Sequence, residues 1–180
     1  MDQSMKSDHK SFIILETDRL LLKRLQPEDI TYLIDLWTDP EVTHYLGGPR
    51  DKALLRSDFE ETAKDPFIEQ YDLWPVIKKE NGKVIGHCGL LDKEVEGVTE
   101  IELDYVISSS EWGKGYGTEI ARAIKRYAFI DLKIKRLIAL IEPNNEASEK
   151  VAKNIGMHFD KEIIRPSGNP RKVYIVEANN

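Results

Sequence analysis

One cysteine, Cys88, stands in the whole chain, so no internal disulfide can brace the fold. That scarcity fits a reducing compartment, and a cytoplasmic location is expected. No apolar run approaches the roughly 20 residues of a membrane span, so no membrane partner is expected. Positive charge is in deficit, with 26 Lys and Arg against 32 Asp and Glu and a net charge of −6. General nucleic-acid binding needs a basic face, and that class is set aside. His44, His87 and His158 lack metal-ligand spacing, so no metal is expected. Repeats and low-complexity tracts are missing as well. The first ten residues are polar and have no signal-peptide core. They are expected to form a flexible arm ahead of a single domain over residues 11–180.

Apolar residues are plentiful, at 41%, and their spacing sets out the elements. Arg19 to Leu25 reads as a strand. Pro27, Glu28 and Asp29 open a helix whose stripe is Ile30, Leu33, Ile34 and Trp37. Residues 53–63 read as a short helix. Two strand-like runs flank Asn81-Gly82, a hairpin signal. In EIELDYVIS, Ile101, Leu103, Tyr105 and Ile107 share one face, and Glu102, Asp104 and Val106 share the other. A helix follows with Ile120, Ile124, Tyr127 and Ala128 on one side. RLIALIE reads as a buried strand, and NNEASEKVAKNIG as a helix with an asparagine cap and a glycine stop. Two more strands flank the turn at 166–170. Hairpins mixed with strand–helix units predict an α/β or mixed α+β class with a mixed sheet.

Between the alternating strand and its helix lies EWGKGYGTE, with glycine at 113, 115 and 117. Glycine costs roughly 0.5–1 kcal/mol in a regular element, so this clustering calls for a reason. A helix N-terminus offers unpaired N–H groups and about half a positive charge. Glycines let a ligand approach that backbone, and together the two features make a phosphate cradle with Lys114 at its rim. A turn that merely enters the helix is the plainer alternative. The Walker pattern fails because Thr118 and Glu119 follow Gly117. The dinucleotide fingerprint fails because its third glycine would fall on Thr118 or Ile120.

EWGKGYGTEI resembles the acyl-CoA pyrophosphate loop of the GNAT N-acetyltransferase superfamily, Q/R-x-x-G-x-G/A. Gly115 and Gly117 match its small positions, and Trp112 replaces the usual Gln or Arg. That replacement, in W-G-K-G-Y, is similar to the RimJ/RimL-like branch. ETDRLLLKRLQPEDI, DPEVTHYL and EPNNEASEKVAKNIGM resemble further segments of that branch, in the same order. The resemblance implies a central mixed, mostly antiparallel sheet flanked by about four helices. It implies acetyl transfer from acetyl-CoA to an amine, either a protein N-terminus or a small molecule, and leaves room for a homodimer. The acidic balance leans toward a cationic acceptor.

Site residues follow from the same resemblance. Backbone N–H groups over Trp112, Gly113, Lys114, Gly115, Tyr116, Gly117 and Thr118 would hold the pyrophosphate. Tyr105, Val106 and Ile107 would bond the pantetheine arm, with the Val106 N–H donating to the thioester oxygen. Asn145 would contact pantetheine, cap its helix, or do both. An amine attacks only when neutral, and Glu102 is the candidate base, with Asp104 behind it. Both are equally readable as solvent-facing charges on a half-exposed strand. The tyrosine that many members use as an acid is replaced by Ala152. Ser148 is then the candidate donor to the departing thiolate, or else an ordinary first-turn residue. The missing tyrosine also sustains a rival reading, a non-catalytic acyl-CoA-binding module. Trp37, Tyr45, Trp74 and Tyr71 are candidates for an acceptor pocket or for the core.

Overall fold

The computed structural model describes residues 11–179, and the expected N-terminal arm lies outside the described residues. Eight strands form one sheet in the order β1-β2-β3-β4-β5-β6-β8-β7. The first strands are β1 (Ile13–Glu16), β2 (Leu20–Lys23), β3 (Leu73–Lys78), β4 (Lys83–Val95) and β5 (Val98–Ile107). The sheet continues with β6 (Arg136–Ile141), β7 (His158–Ile164) and β8 (Pro170–Glu177). Every neighbouring pair is antiparallel except β5–β6. Four helices complete the fold: α1 (Ile30–Thr38), α2 (Lys52–Lys64), α3 (Tyr116–Ile130) and α4 (Glu146–Asn154). This is the mixed, mostly antiparallel sheet with four helices expected from the sequence.

The alternation of β5 decides which helix each face receives. Leu103 and Ile107 pack with Ile120, Ala121 and Ile124 of α3 and with Ala152 of α4. Val106, on the opposite face, packs with Leu33, Ile34 and Leu36 of α1. The sheet is therefore covered on both sides, and Glu102 on β5 lies beneath protein instead of facing water.

Turn chemistry fixes the connections. Asn81-Gly82 closes the β3–β4 hairpin, with Gly82 at φ 69° and its N–H bonded to Lys78 O at 2.8 Å. The β4–β5 turn was not read from the sequence. There Glu96 and Gly97 both take positive φ, 51° and 81°, between paired Val95 and Val98, as a two-residue primed turn requires. Helix α4 opens on Asn145, whose side chain accepts from the Ser148 N–H at 3.1 Å. It ends on Gly156 at φ 88°, with Met157 N–H on Ala152 O and Gly156 N–H on Lys153 O. That is the Schellman pattern of bonds, as the glycine stop predicted.

Gly89 of β4 is fixed by contact. A Cβ there would stand 1.9 Å from Asp72 O, a backbone atom. Gly89→Ala is expected to lower unfolding free energy by about 3 kcal/mol, because the strand has to move aside. Urea denaturation of the two proteins checks it.

Candidate active site

β5 and β6 run side by side and then part. Only Glu102 and Ile138 are in register between them. One step further along β6, the Leu140 N–H donates to the Glu102 carboxylate at 3.2 Å. In a continued parallel ladder that donor would belong to the β5 backbone. A side chain thus ends the pairing, and a wedge opens between the C-terminal halves of the two strands.

The β5 backbone beyond that point divides its hydrogen bonds by alternation. Ser108 N–H bonds Ile85 O at 2.8 Å, and the β4–β5 register is unbroken from Gly86↔Ile107 to Val95↔Val98. Bonded and unbonded pairs alternate in an antiparallel ladder. Val106 therefore turns its N–H and C=O to His87 of β4, and the donor expected at Val106 is already committed. Tyr105 and Ile107 turn theirs toward the wedge. The Trp112 indole confirms this direction by donating to Ile107 O at 2.8 Å.

A cleft of about 760 Å³ occupies one side of the wedge. Tyr105, Ile107 and Val106 line its wall, the 112–118 loop and the start of α3 its end, and Asn145 and Ser148 its far side. Gly113 and Gly115 take φ 75° and 83°, a left-handed conformation that other residues enter at a penalty. Gly117 is helical, so the loop's first two glycines serve the turn itself. No side chain caps α3, so the N–H groups of its first turn point out with the positive end of the helix dipole.

The loop is pinned from the β1–β2 turn by contacts the sequence reading missed. Arg19 Nη1 donates to Lys114 O at 2.9 Å, and its Nε donates to Glu119 at 2.6 Å. Thr17 Oγ1 reaches the same carboxylate at 2.6 Å, and the Arg19 guanidinium lies 4.3 Å from the Tyr116 ring centroid. Burial pushes the Glu119 carboxyl up, but these hydrogen bonds outweigh it and hold it below the usual carboxylate range. Separation in sequence hid this network, since Thr17 and Glu119 are 102 positions apart.

Lys114 does not serve as the expected rim cation. Its Nζ bonds Ser110 O and Glu111 Oε2, each at 2.9 Å, and its side chain is drawn off the cleft. Lys150 on α4 lines the cleft instead. Lys125, within α3, bonds Ile155 O at the end of α4, and Arg136 of β6 pairs with Glu100 and Glu177.

Across the wedge lies a second cavity of about 230 Å³. Tyr105, Asn145 and Ser148 line both cavities. Glu102 and Asp104 line the second, together with Trp37 and Tyr45, which the sequence offered as pocket residues. Trp74 is in the core, and Tyr71 donates to Asp92 at 2.7 Å. Glu102 is only 8% exposed, so the reading of a solvent-facing charge is withdrawn for it. Burial raises its carboxyl well above the usual range, Asp104 adds to the rise, and Lys93, 3.7 Å away, opposes it. Asp104 is raised by burial too.

The hydroxyl groups near the junction are ordered differently. Tyr105 donates to Ser148 O at 2.9 Å. Ser148 has its N–H satisfied by Asn145, and its own hydroxyl bonds no other described residue. Ala152 is fully buried in the core. His87 is buried, held neutral at about 4 by desolvation, and accepts from Trp37 Nε1 at 3.0 Å. Burial pushes the Cys88 thiol up, in keeping with a packing role. No helix among the described residues is long and apolar enough to cross a membrane.

Comparison with known proteins agrees with this geometry. Residues 19–158 match the family described as the acetyltransferase (GNAT) domain. The chain is 35% identical to the uncharacterized protein YkkB of Bacillus subtilis, over 92% of this chain and 96% of that one. It is 34% identical to the uncharacterized N-acetyltransferase p20 of Bacillus licheniformis, over 82% and 83% of the two chains. A GNAT-family acetyltransferase from Bacillus anthracis has the same fold, at a TM-score of 0.76 and 23% identity over 93% and 98% of the two chains. With the wedge, the uncapped helix and these likenesses together, the chain belongs to the GNAT acetyltransferase family and is an acyl-transferring enzyme.

Proposed function

We propose that the chain transfers an acetyl group from acetyl-CoA to a primary amine by direct attack in a ternary complex. The observation that carries this reading is the uncapped start of α3, which opens into the same cleft as the unpaired edge of β5. An anion site and a row of free backbone groups then lie along one path, as a diphosphate joined to an amide-rich arm requires. The amides over 113–118 hold the diphosphate, and Asn145 and the Tyr105 and Ile107 backbone hold the arm. Acetyl-CoA supplies an activated acyl group with a thiol as leaving group.

The chain's own residues divide the remaining work. The N–H groups of Tyr105 and Ile107, not that of Val106, are aimed where negative charge builds on the thioester oxygen. Glu102, across the wedge, takes the proton that the attacking nitrogen gives up as the C–N bond forms. Its raised affinity for protons suits a base working near neutrality. Ser148 brings an uncommitted hydroxyl to the junction of the cavities, where it can donate to the departing sulfur as the C–S bond breaks, while the Tyr105 hydroxyl is spent on Ser148 O. The Ser148 hydroxyl answers for the tyrosine absent at Ala152, which was the only support for a pure binding module. The W-G-K-G-Y loop supports the finer RimJ/RimL-like reading, with a protein N-terminus or a small amine as acceptor. The single cysteine supports a cytoplasmic site of action.

Thiol release from acetyl-CoA over a panel of amines tests the activity itself. Tight acetyl-CoA binding with no amine-dependent release would refute it. For the base, Glu102→Gln is expected to lower kcat/KM by about 100-fold. The parent rate should climb with pH with its midpoint near 8, and the variant should lose that rise. The same shift has a stability signature. A raised carboxyl favours the folded state while protonated, from its ordinary 4.5 downward, and loses that advantage as pH rises through about 8. The melting temperature of Glu102→Gln should therefore gain on the parent between about pH 5 and about pH 9.

For the loop, Gly115→Ala should raise the KM for acetyl-CoA by about tenfold, through a conformational penalty of roughly 1–2 kcal/mol. Gly115→Asn should keep more of the affinity, because asparagine enters the left-handed region more readily. Equal affinities for all three proteins would remove the loop from the binding site.

A further inference from the structure

The second cavity carries more positive charge than the chain's net −6 foretells. Arg50, Lys93, Arg165 and Arg171 all line it. Against them stand Glu102, Asp104 and Glu142. Glu102 and Asp104 are neighbours under protein, and burial leans both toward their neutral forms. The balance is therefore cationic.

The arginines are positioned but not neutralised. Arg165 Nη1 bonds Glu94 O at 2.8 Å, Arg171 Nη1 bonds Pro170 O at 2.7 Å, and Arg50 Nη2 bonds Leu46 O at 2.8 Å. Each bond holds a guanidinium in place and uses one of its five donors. Among the described residues none of the three pairs with a carboxylate within 4.0 Å. Arg165 and Arg171 flank the β7–β8 turn, where Arg165 N–H bonds Asn169 O at 2.9 Å and Gly168 N–H bonds Arg165 O at 2.7 Å. Arg50 approaches from the opposite side, ahead of α2. A polycation entering here would meet these groups head-on. A guanidinium fork with free donors recognises an oxyanion.

We propose that the acceptor is a small primary amine that also bears an anionic group, held by Arg165 and Arg171 while its nitrogen faces Glu102. The proposal rests on the acetyl-transfer reading and narrows its acceptor. Carboxylate and phosphate satisfy the same fork, so the shared chemistry is an amine joined to an oxyanion.

Matched pairs of amines test it, with thiol release from acetyl-CoA as the readout. One arm sets free α-amino acids against their carboxamides, and a second sets phosphoethanolamine against ethanolamine. Spermidine serves as the polycation. The acid-bearing member of at least one pair should have a kcat/KM about tenfold higher, the worth of one charge-assisted contact. The arm that shows the preference identifies the anion. Arg165→Gln and Arg171→Gln should erase the preference by raising KM for the acid-bearing amine about tenfold, with KM for acetyl-CoA unmoved. Equal or faster turnover of the uncharged partner in both pairs, or spermidine turned over as fast as the better acid-bearing amine, overturns the inference and leaves acetyl transfer standing. A preference that survives both substitutions overturns the assignment to these arginines. Acetyl-CoA binding without release for any amine overturns this inference and the activity together.

Discussion

The failure of β5 and β6 to stay paired is the constraint on which the site depends. Two parallel strands of this length would ordinarily share a row of hydrogen bonds. Here the Glu102 carboxylate takes the Leu140 N–H for itself, and the backbone beyond is left open. An unpaired backbone group under protein is expensive unless something meets it. Opening the wedge therefore creates a demand for polar ligands on both its sides. The Tyr105 and Ile107 groups turned toward it are the clearest form of that demand, and the ladder to β4 leaves Val106 no part in it.

The two sides of the wedge answer with different electrostatics. On one side positive potential comes from the backbone, through the free N–H groups that begin α3. The glycine loop needs its left-handed turns to aim them, and Arg19 holds the loop from the β1–β2 turn through Lys114 O and Glu119. On the other side positive charge comes from side chains around buried Glu102 and half-buried Asp104. Burial raises the Glu102 carboxyl and the Asp104 charge adds to the rise, which makes Glu102 a stronger base than a carboxylate in water. Burial that is unfavourable for stability at high pH is thus what would suit the residue to the proposed proton transfer.

Glu102 joins these threads because it has two jobs of different kinds. Its Oε1 ends the β5–β6 ladder, a structural act that shapes both cavities. In the proposed reaction, its location across the wedge from the cleft gives it access to an acceptor nitrogen. Tyr105, Asn145 and Ser148 form the shared wall, so a change at any of them touches both ligands at once. The asparagine again has two roles, since capping α4 also fixes the wall that Ser148 belongs to.

Much of this was legible in the order of residues. Periodicity placed the helices, Asn81-Gly82 and Gly156 marked a turn and a stop, and the glycine loop marked the entry to α3, because these signals act over a few neighbouring positions. The Glu96-Gly97 turn escaped, since glutamate seldom takes positive φ and gives no such signal. Distance in the chain concealed the rest. Nothing near Arg19 says that it will pin a loop about a hundred positions away, and alternation along β5 cannot say that both sheet faces are covered. The sequence by itself determined the elements, the family and the glycine turn that opens α3, through short-range backbone preference and pattern. Only the tertiary structure decided that Glu102 is buried, that Val106 is spent on β4, and that three arginines converge on one small cavity, because burial, ladder phase and charge balance are properties of neighbours brought together by folding.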